Sequence, residues 1–74
     1  MATAEITRES LRKHWCELLR VDDALPEQNF FDLGGDSLSA MELVSRVQAD
    51  TGWELPLELL FGDETFAGIE SRIG

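Results

Sequence analysis

Between two stretches of helical periodicity the chain carries sixteen residues, Val21 to Asp36, with no regular pattern at all. A connection of that length is unusual inside a small domain and points to a functional loop. Pro26 and the Gly34-Gly35 pair punctuate it. Phe30, Phe31 and Leu33, with help from Leu25, are expected to pin it to a core. Whatever the chain becomes, it must place two amphipathic helices against each other and still hold this long connection in one shape.

The helices on either side follow from spacing. In residues 7–20, Leu11, Trp15, Leu18 and Leu19 recur at i, i+4, i+7 and i+8, one apolar stripe. Thr7 can cap this helix, with Ile6 and Leu11 as a hydrophobic staple, and Thr3 is an earlier alternative cap. In residues 37–50, Ala40, Met41, Leu43, Val44 and Val47 share a broad apolar face opposite Ser39, Glu42, Ser45, Arg46 and Ala49. Its start is either Ser37 or Ser39, because Ser39 to Glu42 also reads as a capping box. Both starts leave Ser37 exposed at the helix end. Thr51-Gly52 closes the helix. From Trp53 to Asp63, Pro56 suits a first helical turn before Leu57, Leu59, Leu60 and Phe61, and Gly62 breaks the pattern. Thr65 then caps a fourth helix with Phe66, Ile69 and Ile73 at i, i+3 and i+7. The expectation is an all-α fold, a small four-helix bundle of three main helices and one short one, in a single domain spanning residues 1–74.

Charge narrows the partners. The net charge is −9, and from Asp22 to Glu64 eleven acids face Arg46 alone, a local net of −10. Four of the six bases, Arg8, Arg12, Lys13 and Arg20, fall in the first twenty residues. Such a field repels nucleic acid and anionic lipid and steers towards basic protein surfaces. No apolar run reaches the length of a membrane span, and Met1 to Glu5 lacks a signal-peptide pattern. Cys16 is the only cysteine, so no internal disulfide can form, and a cytoplasmic protein is expected. Glu17 beside it disfavours a thiolate, which makes Cys16 a part-buried filler. His14 stands at the flank of the first stripe with no second ligand at suitable spacing, so no metal site is expected.

The loop ends in Asn29-Phe30-Phe31-Asp32-Leu33-Gly34-Gly35-Asp36-Ser37-Leu38. The glycine pair allows positive φ without a Cβ penalty. Ser37 follows at the mouth of a helix, beside the positive end of its dipole, where an attached anionic group such as a phosphodiester is favoured. By itself Gly-Gly-Asp-Ser is also good capping chemistry, with the serine a mere cap. Gly35-Asp36-Ser37-Leu38 spells the nucleophile block of GDSL-type hydrolases as well. Such a serine needs a base and oxyanion donors, yet the one histidine, His14, precedes it, and 74 residues cannot build that family's sheet.

Phe30-Phe31-x-Leu33-Gly34-Gly35-Asp36-Ser37-Leu38 resembles the attachment motif of carrier proteins, in the peptidyl (thiolation) branch used by nonribosomal peptide synthetases. The resemblance runs from about Leu11 to Ile73 and takes in Leu55-Pro56-Leu57 and Leu60-Phe61. It implies a non-catalytic carrier with 4′-phosphopantetheine held covalently on Ser37, amid Gly35, Asp36 and Leu38, and aminoacyl or acyl cargo held on the arm as a thioester. It implies a phosphopantetheinyl transferase, an adenylation enzyme, and condensation, tailoring or thioesterase enzymes as partners of a monomer. Leu38, Met41, Glu42 and Phe61 are the expected partner surface. Three positions depart from the pattern. His14 stands where an aliphatic residue is common, Glu64 where proline often precedes the threonine, and Glu42 where peptidyl carriers are commonly neutral or basic. Glutamate at that last position is usual in polyketide and fatty acyl carriers, so that branch is the alternative reading. It also fits a discrete carrier meeting its partners in trans, with a domain excised from a synthetase as the alternative. From another class, the alternative is a non-carrier acidic helical interaction module.

Overall fold

The computed structural model of the chain describes residues 3–62 and 64–73. They form four helices in chain order: α1 (Ala4–Leu19), α2 (Ser37–Thr51), α3 (Leu57–Phe61) and α4 (Phe66–Glu70). The four-helix architecture is the expected one. The fourth helix is shorter than its apolar spacing implies, because it ends at Glu70 and Ile73 reaches the core from a turn beyond it. Asp63, the end of the third predicted segment, lies outside the described residues.

α1 starts earlier than the Thr7 cap predicts. Thr3 is the N-cap, its Oγ1 accepting from the Ile6 N–H at 3.2 Å. Thr7 is buried inside the helix and its hydroxyl donates back to the Thr3 carbonyl at 3.1 Å, a bond open to a helical threonine. The Ile6–Leu11 staple therefore does not form at a helix start. Ile6 lies within the first turns and is exposed, while Leu11 is buried. The helix closes on Arg20, whose φ of 56° is left-handed, and the N–H groups of Arg20 and Val21 both turn back to the Cys16 carbonyl.

The core lies between α1 and α2 and is sealed by the loop and the two short helices. Leu11, Trp15 and Leu19 of α1 meet Ala40, Leu43 and Val47 of α2. Trp15 is fully buried and sits edge-on to both Phe30 and Phe66, with ring centroids 5.4 and 5.0 Å apart. Edge-to-face pairs of this kind add about 0.5–1.5 kcal/mol each beyond the area they bury. One indole thus ties the long loop and α4 to α1. Its Nε1–H donates to Gln28 Oε1 at 3.1 Å, which also accepts from the Leu25 N–H, so the buried donor is satisfied. Leu25, expected to pin the loop with its side chain, is exposed; its backbone makes the contact instead.

At the far end of the bundle the α1–α2 joint is polar. His14 is buried, and its Nε2 lies 2.7 Å from Asp50 Oδ2, which also accepts from Ser10 Oγ at 3.0 Å. The stripe-flank histidine is therefore a structural contact between the helices. These two hydrogen bonds, the one to His14 above all, hold the Asp50 carboxyl below the usual carboxylate range. Cys16 behaves as a filler, but for reasons other than Glu17: burial pushes its thiol up, and Asp23 adds to that.

Candidate functional site at the start of α2

The loop reaches Ser37 through a series of fixed contacts. Asn29 organises its second half. Its Oδ1 accepts from the N–H groups of Phe31 and Asp32, at 3.0 and 3.2 Å, and its Nδ2 donates to the Glu64 carbonyl. The Phe66 N–H donates to the Gln28 carbonyl at 2.8 Å and the Ala67 N–H to that of Pro26 at 3.0 Å, so the loop is stitched along the start of α4. Asparagine at a turn that bonds its own downstream backbone is a recognisable device, and the residue type was the available signal for it.

Phe30 is fully buried, and the chain folds over it. The N–H of Gly35 donates to the Phe30 carbonyl, and that of Gly34 to the carbonyl of Phe31. The two glycines have different reasons. Gly34 alone has a positive φ, 98°, with open space where a Cβ would point. Gly35 needs no special φ; a Cβ there would come within 2.4 Å of the Phe30 ring and 2.8 Å of its carbonyl oxygen. The expected positive φ thus belongs to one member of the pair, and the other is glycine because the loop lies on an aromatic ring.

α2 begins at Ser37, with Asp36 as N-cap. Asp36 Oδ1 accepts from the Ser39 N–H at 2.8 Å, so the Ser39–Glu42 capping box does not set the start. That amide bond, with the Ser39 hydroxyl behind it, holds the Asp36 carboxyl below its ordinary range. The carboxylate is turned to the helix backbone, and Ser37 is exposed in the first turn, at the positive end of a fifteen-residue helix. The hydroxyl, the helix terminus and the glycine turn make a position to which a phosphodiester could be fixed and an enzyme could gain access.

Beyond Ser37 the exposed side of α2 is apolar and then charged. Leu38 is 78 % exposed and Met41 56 % exposed, so Met41 lies outside the core face on which the spacing placed it. Glu42 follows Leu38 by one turn, and Arg46 follows Glu42 by another. Phe61, 51 % exposed, stands on α3, which packs on α2; its ring stacks on Phe31 with centroids 5.2 Å apart. Phe31 in turn meets Phe30 edge-on. An exposed aromatic on α3 is in this way connected to the buried ring under Gly35. Among the described residues no helix is long and apolar enough to cross a membrane.

Comparison with known proteins agrees with this arrangement. Residues 9–73 match the family model described as phosphopantetheine attachment site, whose members bind 4′-phosphopantetheine covalently on a serine. The chain is 40% identical over 65 residues to gramicidin S synthase 2 of Brevibacillus brevis, a match covering 88% of this chain and 2% of that protein. It spans 1–5% of the length of the surfactin and linear gramicidin synthase subunits it also matches. Among solved structures, it superposes on BlmI, a type-II acyl-carrier-protein from Streptomyces verticillus involved in bleomycin biosynthesis. There the TM-score is 0.75 at 27% identity, over 95% of this chain and 84% of that one. It also superposes on PCP, a prototype for the peptidyl carrier domains of modular peptide synthetases, with TM-score 0.70 and 30% identity over 99% and 96% of the two chains. With residues 9–73 matched by the family model and the helical frame shared, the chain belongs to the phosphopantetheine-attachment family, as a peptidyl carrier (thiolation) domain.

Proposed function

We propose that residues 1–74 act as one carrier domain in nonribosomal peptide synthesis and that Ser37 is its attachment residue. The observation that carries this reading is the placement of Ser37: exposed in the first turn of α2, after a loop fixed on Phe30, in a chain that matches the attachment family across residues 9–73. The residues present fit the group. A small accessible hydroxyl is the nucleophile, and the helix terminus favours the phosphodiester negative charge. Asp36 fixes the terminus by capping Ser39. Gly35 lets the loop lie flat on Phe30.

In the attachment step a phosphopantetheinyl transferase supplies the base, and Ser37 Oγ loses its proton as it bonds to the phosphorus of coenzyme A's pantetheine arm. The P–O bond to the adenosine bisphosphate breaks, and 3′,5′-adenosine bisphosphate leaves. The chain itself performs no catalysis. When bound, the group supplies a terminal thiol that can hold acyl cargo. The chain's own residues present that arm and dock partners: an adenylation enzyme first, then condensation, tailoring or thioesterase enzymes, with the domain a cytoplasmic monomer. Leu38, Met41 and Phe61 offer the apolar part of the docking surface and Glu42 the charged part. Weak, salt-sensitive contacts suit a carrier that must leave each partner after transfer.

A free-standing carrier serving partners in trans is favoured by Glu42 and by the likeness to BlmI, and a domain of a larger synthetase by the likeness to the gramicidin and surfactin synthases. The test of attachment is intact-protein mass after incubation with coenzyme A and a broad-specificity phosphopantetheinyl transferase. Wild type should gain one phosphopantetheine and Ser37→Ala none. A folded wild type that gains nothing would leave Ser37 a helix cap and make the chain an acidic interaction module.

A further inference from the structure

Glu42 is the first acidic residue on the exposed row of α2 after Ser37, and it is already occupied; Asp50, two turns further on, is held by Ser10 and His14. Arg46, one turn on, donates from its Nη2 to Glu42 Oε1 at 3.1 Å. Its Nη1 lies 3.6 Å from Glu17 Oε1 on α1. All three side chains are between 38% and 53% exposed, so solvent and a docking protein can reach each of them. Arg46 is also the one base between Asp22 and Glu64. In a span so acidic, the single cation lies against the carboxylate nearest Ser37 on this row.

We propose that Arg46 is an internal competitor for the docking carboxylate, and that Glu17 is the place to which it withdraws when a partner's lysine or arginine takes Glu42. The inference rests on the reading of Glu42 as a partner contact. Its physical basis is exchange. A partner cation arriving at Glu42 displaces a guanidinium that already has a second carboxylate within reach, so the displaced charge is not left unpaired. The guanidinium fork can serve two carboxylates at once. Arg46 lowers the affinity of α2 for basic surfaces, and Glu17 limits how much it lowers it. The outcome is a weak contact that favours partners with a cation placed to replace Arg46, and release is assisted because Arg46 re-forms its own bond.

Steady-state kinetics of a broad-specificity phosphopantetheinyl transferase, with coenzyme A and the apo chain as substrates, tests this at low and high ionic strength. Exposed ion pairs one turn apart are weak, so the changes are small: about two-fold in kcat/KM at low salt for each single step. Glu42→Gln should lower kcat/KM. Arg46→Gln should raise it, and both changes should fade at high salt, where the shorter Debye length screens exposed charges from an approaching partner. Arg8→Gln, an exposed base at the other end of α1, makes the same change in net charge and should give a smaller rise. Glu17→Gln should lower kcat/KM in the wild-type background, and in the Arg46→Gln background should change it no more than the general charge effect that Arg8→Gln measures. If Glu42→Gln has no effect, the docking role of Glu42 fails and the competitor with it. If Glu42→Gln lowers the rate while Arg46→Gln also lowers it, or raises it no more than Arg8→Gln does, the docking role stands and the competitor is overturned. A Glu17→Gln effect that persists at full size without Arg46 overturns the withdrawal step. Thermal melts of each variant confirm that all compared proteins are folded.

Discussion

The two ends of α2 are held by different physics. At its start, an aromatic ring, two glycines and an aspartate cap fix the chain while leaving Ser37 and Leu38 in solvent. At its end, the side chains of Ser10 and His14 reach from α1 to Asp50, and Gly52 caps the helix with a φ of 79°. The start is positioned from below by packing and backbone, so no polar side chain has to cover the hydroxyl. The end is positioned by side-chain hydrogen bonds that would obstruct any such access. A helix that must present one residue at its terminus is best fixed there by what lies beneath it, and anchored elsewhere by whatever polar contacts are to hand.

If packing beneath the loop is what fixes the start, the largest effect belongs to Phe30. Phe30→Ala removes a fully buried ring that touches Trp15 and Phe31 and lies under Gly35, and should cost about 3–5 kcal/mol in urea unfolding. A loss below 1 kcal/mol would mean the loop is held by its hydrogen bonds alone. Gly35→Ala comes next, at about 1–3 kcal/mol, since the added methyl must displace the ring or the backbone. It should also slow phosphopantetheine transfer at temperatures where the variant is still folded, because the loop shifts under Ser37. Gly34→Ala meets open space, so only the positive φ opposes it, at about 1–2 kcal/mol. A Gly35→Ala variant with wild-type stability would remove the distinction drawn between the two glycines.

The opposite end should separate stability from function. His14→Ala deletes a buried hydrogen bond to a carboxylate, and chemical denaturation should show a loss of about 1–3 kcal/mol. The rate of phosphopantetheine transfer to the folded variant should stay at the wild-type value. A His14→Ala protein as stable as wild type but slow to be modified would show that the two ends are coupled through α2, contrary to the division proposed.

Much of this frame was legible in the sequence because it depends on local periodicity. Leu11, Trp15, Leu43, Val47 and Phe66 are buried where a 3.6-residue repeat puts them. The start of α1 was not legible, since Thr3 and Thr7 are both competent caps. The choice fell to Thr7's burial and its bond back to Thr3, which is tertiary information. Met41 lies at the edge of an apolar arc, where one residue's rotation decides between core and solvent, and no neighbouring helix covers it. The roles of Gly34 and Gly35 differ because of where the Phe30 ring sits, which their own identity cannot reveal. Likewise Arg46 reads as an ordinary i, i+4 partner of Glu42; its second carboxylate, Glu17, is supplied by the packing of α1 on α2.

The smallest expected effect comes from acid, and the two ends are distinguished by what loss of each carboxylate does at neutral pH. Asp36 and Asp50 both have carboxyls held below the ordinary range, Asp36 chiefly by the Ser39 amide and Asp50 chiefly by His14. A depressed folded-state pKa contributes stability that is present above the unfolded value, about 3.9, and is lost as pH falls through the folded one. The melting temperature should therefore drop as pH falls below about 4. Asparagine caps a helix as well as aspartate does, so Asp36→Asn should leave the neutral-pH melting temperature nearly unchanged and make the acid-side fall shallower. Asp50→Asn should also make it shallower, but with a lower melting temperature already at pH 7, because its partners there are a histidine and a hydroxyl that lose a charged acceptor. Melting curves of the three proteins from pH 7 to pH 2.5 would settle the matter. If Asp36→Asn lowers the neutral melting temperature as much as Asp50→Asn does, then the charge at position 36, and not only its geometry, holds the start of α2. The contrast between a packed start and a polar end would then have to be withdrawn.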